Sequence, residues 1–311
     1  MRLRFALILA TLCSFSFYLR AQSNSAQNAG SNQTGELTIE SIFAPGGIIG
    51  RGPESMRWSP DGTKLSYVLR DDSGESGALY YVDVASGKSA VLVAPEKLSS
   101  LAPPPGAIKD ERQKEAVQRY SIATYHWSPD SKQLLFDSLG QLWLYNLETG
   151  TATQITADSD SSLDPKFSPD GQRIAYVHKH NLYVSPVRGG EPRQLTKDDD
   201  SGLLNGEVDW VYQEELYVRS NYFWSPGGKQ IAFLQMNEKR VPTYPITDWI
   251  PAAPHVDEEK FPKPGDPNPD VRLGVVSSNG GKVRWISVEG SNGSLPIGND
   301  PNVLIPRFGW V

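Results

Sequence analysis

Residues 56–67 read MRWSPDGTKLSY, and this stretch decides the fold because the chain repeats it. In each copy an aromatic residue precedes Ser-Pro, a short polar turn follows, and apolar residues then recur along the next segment. Pro, Asp and Gly are the residues that tight turns require, and apolar alternation with a period of two is typical of strands. Each copy therefore predicts a β-hairpin. The other copies are YHWSPDSKQLLF at 125–136, KFSPDGQRIAY at 166–176 and FWSPGGKQIAF at 223–233.

A second strand pair is predicted after each of the first three hairpins. Four short strands per repeat are typical of a β-propeller blade. The sequence thus predicts an all-β fold, a β-propeller of four blades, with the opening of one more blade at 307–311. We interpret 36–311 as a partial propeller domain, because a propeller ring closes by joining its last blade to its first. In the first three repeats, the second strand pair is predicted to begin in the runs 78–84, 141–147 and 181–187.

The N-terminus predicts export to the periplasm or the extracellular space. Residues 1–21 combine basic Arg2 and Arg4 with an apolar run that is too short for a membrane span, which is the pattern of a signal peptide. Residues 22–35 are rich in Ser, Asn, Gln and Gly, which predicts a flexible linker. The single cysteine, Cys13, lies inside the signal. The mature chain is therefore expected to contain no disulfide and no cysteine nucleophile.

Charge and composition narrow the classes of partner. The formal net charge is −6, and an acidic domain argues against nucleic acid as a partner. A hydrophobic content of 38% permits a real core. His178 and His180 could share one side of a strand, but a third metal ligand is absent, so we interpret them as a solvated strand end. We expect no metal site and no cofactor.

Residues 205–216, NGEVDWVYQEEL, interrupt the array of repeats and contain the adjacent Glu214 and Glu215. The run 210–216 lacks strict alternation, Gly and Pro, which predicts a short helix. Two neighbouring carboxylates repel each other, and a bound cation removes that cost. A peptide α-amine, with a pKa of about 8 and three N–H donors, is such a cation. The alternative is a solvated acidic helix face, as for the acidic run 198–200.

Two segments resemble a known family. Residues 209–215, DWVYQEE, with the blade opening at 224–226 resemble the N-terminal propeller of dipeptidyl peptidase IV and its bacterial relatives in the prolyl oligopeptidase superfamily. Residues 261–271, FPKPGDPNPDV, are similar to the Tyr-Pro-Lys-x-Gly-x-x-Asn-Pro segment of that family. The resemblance covers about 36–311. It implies an eight-bladed propeller in the full-length protein, which caps an α/β-hydrolase domain.

The resemblance also implies a function for the two glutamates. Glu214 and Glu215 match the residues that hold the N-terminal amine of the substrate, so that the enzyme releases dipeptides, typically after Pro or Ala. Gln213 stands where the family has a first glutamate, which is not an amine ligand. The expected partners are a peptide N-terminus and a C-terminal α/β-hydrolase domain. A homodimer is expected only of a full-length form, since relatives often dimerise through that domain.

We expect that the catalytic half of such a peptidase is not part of this chain. No Gly-x-Ser-x-Gly motif occurs, so we assign no catalytic residue and expect that this chain alone does not cleave peptides. An alternative is a stand-alone binding propeller of the translocation-protein type, which shares the Ser-Pro-Asp-Gly hairpins. The segment 209–215 favours the peptidase, because a pure binding propeller has no reason to contain it. A purely structural role, with both glutamates solvated, is the remaining alternative.

Overall fold

The computed structural model describes residues 37–44, 51–71, 77–101, 124–138, 140–156, 161–249, 253–287 and 303–311. The predicted signal peptide 1–21 and linker 22–35 lie outside these ranges, as does residue 36. The described part is almost entirely β, with short helices α1 (Ile39–Phe43) and α2 (Pro95–Ser99) and a π-helical turn (Val211–Glu215). None of the described helices is long and apolar enough to span a membrane.

Each of the first three repeats folds as an antiparallel sheet of four strands in sequence order, as predicted for a propeller blade. The first sheet contains β1 (Glu54–Trp58), β2 (Lys64–Arg70), β3 (Gly77–Asp83) and β4 (Ser89–Val93). The second contains β5 (Thr124–Trp127), β6 (Gln133–Ser138), β7 (Gln141–Asn146) and β8 (Ala152–Gln154). The third contains β9 (Ser162–Phe167), β10 (Arg173–His178), β11 (Asn181–Pro186) and β12 (Arg193–Gln194).

The fourth sheet has a first strand in two pieces. β13 (Leu203–Asn205) and β14 (Tyr222–Trp224) both pair with the same side of β15 (Gln230–Asn237), at opposite ends of it, while β18 (Asp270–Ser277) pairs with the whole length of its other side. The segment 206–221 leaves the sheet between these two pieces. The sheet is completed by β19 (Arg284–Ile286), and β16 (Thr243–Asp248) with β17 (His255–Lys260) forms a separate hairpin.

The apolar core lies between consecutive sheets, because neighbouring strand residues point to opposite faces. On β6, Leu134 packs with residues of the first sheet, whereas Leu135 packs with residues of the third. On β10, Ile174 faces the second sheet and Ala175 faces the fourth. Each inner sheet is therefore covered on both sides, which arranges the four blades side by side in chain order.

The Ser-Pro-Asp-Gly turn is held by its own side chains. Ser59 Oγ donates to Asp61 Oδ1 at 2.7 Å, and the backbone N–H of Thr63 donates to the same oxygen at 2.9 Å. These hydrogen bonds, the one from Ser59 first, lower the pKa of Asp61 to about 2. Gly62 has φ +69°, the left-handed region that glycine adopts without strain, and Ser131 has φ +60° at the same place in the second turn.

The last described residues lie against the fourth blade. Residues 303–311 form no strand with any described part of the chain. Instead the Trp310 indole N–H donates to the Phe223 carbonyl at 3.1 Å, and Phe308 contacts the Phe223 ring edge-on. The predicted opening of one more blade is thus a segment beside β14 that has no β-ladder of its own.

Candidate functional site

The insertion 206–221 leaves and re-enters the sheet at a fixed base. Gly206 has φ +72°, and a Cβ atom there would lie 2.8 Å from Leu182 Cδ2, so the exit requires glycine. At the other end, buried Asn221 donates from Nδ2 to the Glu207 carbonyl at 3.1 Å. The N–H of Leu234 on β15 donates to the Asn221 carbonyl at 3.0 Å. These contacts join the two ends of the insertion to each other and to the blade.

The insertion folds into a wide helical turn, which confirms the predicted short helix. The N–H of Leu216 donates to the Val211 carbonyl five residues earlier, at 3.1 Å, which is the π-helical spacing. Buried Asp209 accepts the N–H of Tyr212 at 3.1 Å and so holds the start of the turn. The turn ends at Glu215 with Leu216 as its C-cap, and the next residue, Tyr217, adopts φ +53°. A non-glycine residue with positive φ at the end of a π turn is typical of functional sites.

Tyr212 attaches the turn to the fourth blade. Its side chain is fully buried among apolar residues of the fourth blade, including Leu204 and Met236. Its hydroxyl accepts the N–H of Ile305 at 2.9 Å. Burial raises the pKa of Tyr212 to about 12, so the ring stays neutral at physiological pH. A buried, hydrogen-bonded aromatic residue fixes the backbone that presents the next residues.

Aromatic contacts join the two segments that carry the family resemblance. The Trp210 ring lies 5.2 Å from the Phe261 ring, centroid to centroid, and Phe261 lies 4.9 Å from Tyr244. The Lys263 ammonium covers the Tyr244 ring at 3.6 Å from its centroid. The motif at 261–271 therefore packs beside the motif at 209–215. The sequence named both segments, and the structure shows that they form one unit.

Glu214 and Glu215 occupy the end of this turn, and both side chains are exposed. Within the described part of the chain, neither carboxylate has a hydrogen-bond or ion-pair partner. A π turn contains more residues than an α turn, so consecutive side chains diverge by a smaller angle than on an α-helix. Arg219 donates from Nη1 to the Gln213 carbonyl at 2.9 Å, which fixes the backbone just before the pair. Gln213 itself donates from Nε2 to the Val208 carbonyl at 3.1 Å.

A second charged group lies near the base of the insertion, and the sequence did not indicate it. His180 Nδ1 contacts Glu207 Oε2 at 2.8 Å, and this hydrogen bond raises the pKa of His180. Burial raises the pKa of Glu238 to about 7, and the charges of Asp209 and Glu207 add to the rise. Lys260 donates to the Glu238 carbonyl at 2.9 Å. The members come from separate strands and turns, so only the fold brings them together.

The other candidate residues are placed differently from the sequence interpretation. His178 is buried, and its Nδ1 lies 3.3 Å from the Ser161 carbonyl, so the interpretation of a solvated strand end is wrong for this residue. In the acidic run, Asp198 Oδ2 accepts amide hydrogens from Asn205 at 3.0 Å and Gln235 at 2.9 Å. Among the described residues, no three His, Cys, Asp or Glu side chains are grouped to hold a metal ion.

The comparison with protein families decides the family. The model of the dipeptidyl peptidase IV (DPP IV) N-terminal region matches residues 128–310, which is more than half of the chain. The chain belongs to this family. The matched region contains the whole insertion and both motif segments, so the resemblance inferred from 209–215 and 261–271 is confirmed.

Named relatives agree with this DPP IV assignment. A protein of Uncinocarpus reesii named "Probable dipeptidyl-aminopeptidase B" is 29% identical over 262 residues, covering 75% of this chain and 28% of the relative. A protein of the same name from Talaromyces marneffei is 33% identical over 177 residues, covering 53% of this chain and 15% of the relative. The chain thus spans less than a third of the length of these two relatives.

A solved structure supports the fold. The crystal structure of Porphyromonas gingivalis dipeptidyl peptidase 4 superposes with a TM-score of 0.61 at 22% sequence identity, covering 82% of this chain and 34% of that chain. At this identity the similarity concerns the fold alone. It agrees with the side-by-side antiparallel sheets, and the prediction of an all-β propeller is confirmed.

Proposed function

We propose that this chain is the substrate-selecting propeller of an exported, serine-type dipeptidyl aminopeptidase, in which Glu214 and Glu215 bind the α-amine of the peptide. One observation carries the proposal. Both carboxylates are exposed at the end of a single π turn that is fixed by buried Asp209 and Tyr212, inside the region that matches the DPP IV family. A rigid base with two free anions at its tip suits the capture of one cation.

The chemistry of a peptide N-terminus fits such a pair. An ammonium group has three N–H donors, and each carboxylate accepts through two oxygens. A contact between unit charges at about 4 Å is worth about 1 kcal/mol in bulk water and about 4 kcal/mol at an effective dielectric constant of about 20. The exposed glutamates therefore bind an ammonium group weakly by themselves, and they bind it more strongly where a covering domain excludes water. This dependence suits a propeller that caps a hydrolase.

Binding the amine sets the length of the product. If the ammonium is held at a fixed distance from the nucleophile, only the second peptide bond reaches the reacting position, and the enzyme releases N-terminal dipeptides such as X-Pro or X-Ala. Holding a substrate in a reactive geometry is itself a source of rate acceleration. The serine, histidine and acid would come from an α/β-hydrolase domain of the same gene product. The residues of this chain bind the peptide substrate and orient it.

The test compares substrate turnover by the native gene product with that of a double variant, Glu214→Gln/Glu215→Gln. We expect the double variant to lose about 100-fold or more in kcat/KM on an Ala-Pro chromogenic substrate, because two charge-assisted contacts to the ammonium are removed. The matched control is Glu258→Gln/Glu259→Gln, a second pair of adjacent exposed glutamates, on β17. It should retain nearly all activity.

Three results would count against the proposal. The first is a native product that releases no dipeptide, which would favour the stand-alone binding propeller. The second is a double variant that cleaves as well as the wild type. The third is an equal loss in the Glu258/Glu259 control, since that would reflect net charge rather than recognition of the amine.

A further inference from the structure

A groove of about 860 Å³ lies between the third and fourth blades, and neither Glu214 nor Glu215 is among its lining residues. It runs between the segment that begins at β12 and the loop that joins β18 to β19. Its lining is rich in cations, although the chain as a whole carries a formal charge of −6. We name it the blade 3–4 groove, and its principal lining residues are Arg193, Leu195, Lys197, Arg272, Lys282 and Trp285.

Arg272 is the most constrained of these cations. Its Nε donates to Gln235 Oε1 at 2.7 Å, and its guanidinium carbon lies 3.6 Å from the centroid of the Trp285 ring. Gln235 is buried and in turn donates to Asn205 at 2.8 Å and Asp198 at 2.9 Å. Across the described ranges, the two terminal nitrogens of Arg272 have no hydrogen-bond partner. The side chain is thus held by one edge and one face, its terminal nitrogens make no hydrogen bond with the described residues, and the Asp198 carboxylate is the charge that acts on the guanidinium.

The position of Trp285 depends on a glycine. Gly274 pairs with Trp285 across β18 and β19, and a Cβ atom at Gly274 would lie 2.8 Å from Phe233 and 3.0 Å from the Trp285 ring. The bare backbone lets the Phe233 and Trp285 rings meet edge-on, with their centroids 5.8 Å apart. Trp285 is thereby placed over Arg272. Gln235 and Trp285 therefore fix the guanidinium before any ligand arrives.

Both walls of the groove supply further positive charge. Arg193 donates from Nη1 to the Asn279 carbonyl at 3.1 Å and so ties the β18–β19 loop to the third blade. Lys197 and Lys282 line the same groove, and both are exposed. The one carboxylate in the lining, Asp198, accepts two amide hydrogens through Oδ2. The cations in this groove therefore outnumber the carboxylates.

We propose that the blade 3–4 groove binds an acidic peptide segment, with Arg272 as the central carboxylate receptor. An arginine that is stacked on an aromatic ring and fixed at Nε presents its terminal nitrogens as a fork, which matches the two oxygens of a carboxylate. The lining also contains Leu195, Val283 and the Trp285 ring, which suit the aliphatic stems and backbone of a peptide. A small inorganic anion would leave this apolar surface uncovered. This activity is separate from recognition of the α-amine.

The test is isothermal titration calorimetry of the full chain with N-acetylated, C-amidated tetraglutamate. The blocked N-terminus has no α-amine, so the outcome is independent of Glu214 and Glu215. We expect saturable binding that weakens as salt concentration rises, and a loss of about tenfold in Arg272→Gln, because a hydrogen-bonded charge pair is removed. Lys282→Gln should weaken binding by about threefold.

The matched control is Arg188→Gln, which removes an exposed cation from a turn of the third blade outside the groove. It should change the affinity by about twofold at most. Thermal unfolding of each variant verifies that it is folded. If Arg272→Gln does not fold, the affinities of Lys282→Gln and Lys197→Gln for the peptide test the proposal instead. Absence of binding, equal binding by all groove variants, or an equal loss in Arg188→Gln would overturn the proposal. Tighter binding of tripolyphosphate than of the peptide would overturn the choice of ligand.

Discussion

At the scale of single residues, Glu238 is a group whose ionisation should change stability near neutral pH. Its folded-state pKa of about 7 lies above the ordinary value of 4.5, because burial and the charges of Asp209 and Glu207 oppose ionisation. The folded protein therefore binds the proton more tightly than the unfolded chain between these two values. Consequently the free energy of unfolding falls as pH rises through this interval, and the loss is complete above about pH 7.

Replacing Glu238 by Gln tests this dependence. Glu238→Gln should flatten the decline in melting temperature between about pH 5 and pH 7, since the amide does not ionise. His180 shifts in the same direction, because its raised pKa gives stability that is lost as pH rises through that pKa. A residual decline in the variant is therefore expected. Glu148→Gln, at an exposed turn, should keep the full decline, and a Glu238→Gln profile identical to wild type would contradict the assignment.

The sequence could name Glu214 and Glu215, because adjacent glutamates at the end of an aromatic run are visible in a linear pattern. It could not name Arg272 or Glu238. Each obtains its environment from residues far away in the chain, such as Gln235 and Trp285 for Arg272. The sequence around Arg272 and Glu238 contains no pattern that identifies them, because strand pairing in the folded protein determines which residues they contact.

At the scale of elements, the Ser-Pro-Asp-Gly turns repeat one hydrogen-bond pattern with one exception. Ser128 and Ser168 donate to Asp130 at 2.6 Å and Asp170 at 2.5 Å, as Ser59 does to Asp61. The fourth turn has Gly227 where the others have aspartate. A Cβ atom at Gly227 would have no atom within 4 Å. The fourth turn therefore has room for the missing side chain.

Gly227→Asp should stabilise the protein. The new carboxylate can accept from Ser225 and from the backbone of the turn, and the unfolded chain loses freedom when glycine is replaced. We expect the free energy of unfolding to rise by about 1 kcal/mol, measured by urea denaturation. Gly228→Ala is the control, and it should lower stability by about 1 kcal/mol, because Gly228 has φ +63°. If Gly227→Asp left the free energy of unfolding unchanged or lowered it, the turn would gain nothing from a carboxylate at this position, which would contradict the prediction.

The insertion marks the limit of prediction at this scale. The pattern of 210–216 predicted a short helix, and the structure has one at Val211–Glu215. The π spacing was not predictable, because it depends on Asp209 and Tyr212 being buried on the blade. The division of the first strand into β13 and β14 also escaped the pattern, since the three residues of β13 are too few to form a periodic signal.

At the scale of the whole molecule, buried tyrosines join neighbouring blades. Tyr125 lies two residues before Trp127, and its hydroxyl contacts Ser66 Oγ of the first blade at 2.8 Å. Tyr222 lies two residues before Trp224, and its hydroxyl contacts two carbonyls of the third blade, that of Asp164 and, at 2.9 Å, that of Ala175. Both rings are fully buried. The repeats predicted the number and order of blades, but these contacts between blades required the fold.

Tyr222→Phe tests the link between the third and fourth blades. Removing the hydroxyl leaves the Asp164 and Ala175 carbonyls without this partner, so the free energy of unfolding should fall by about 1–2 kcal/mol. Tyr67→Phe is the control, because the Tyr67 hydroxyl contacts Ser89 at 2.7 Å on an exposed surface. It should change stability by about 0.5 kcal/mol or less. Equal changes in the free energy of unfolding in the two variants would mean that the buried hydroxyl of Tyr222 contributes no more to stability than the exposed hydroxyl of Tyr67.

Recognition of the α-amine by Glu214 and Glu215 can be tested with a single measurement. It is the ratio of the affinities of the full chain for Ala-Pro-Ala with a free amine and for its N-acetylated form, measured at neutral pH in the wild type and in Glu214→Gln/Glu215→Gln. We expect a preference for the free amine of about tenfold in the wild type, which disappears in the variant. Equal affinity for both peptides in the wild type, or a preference that survives in the variant, would contradict it.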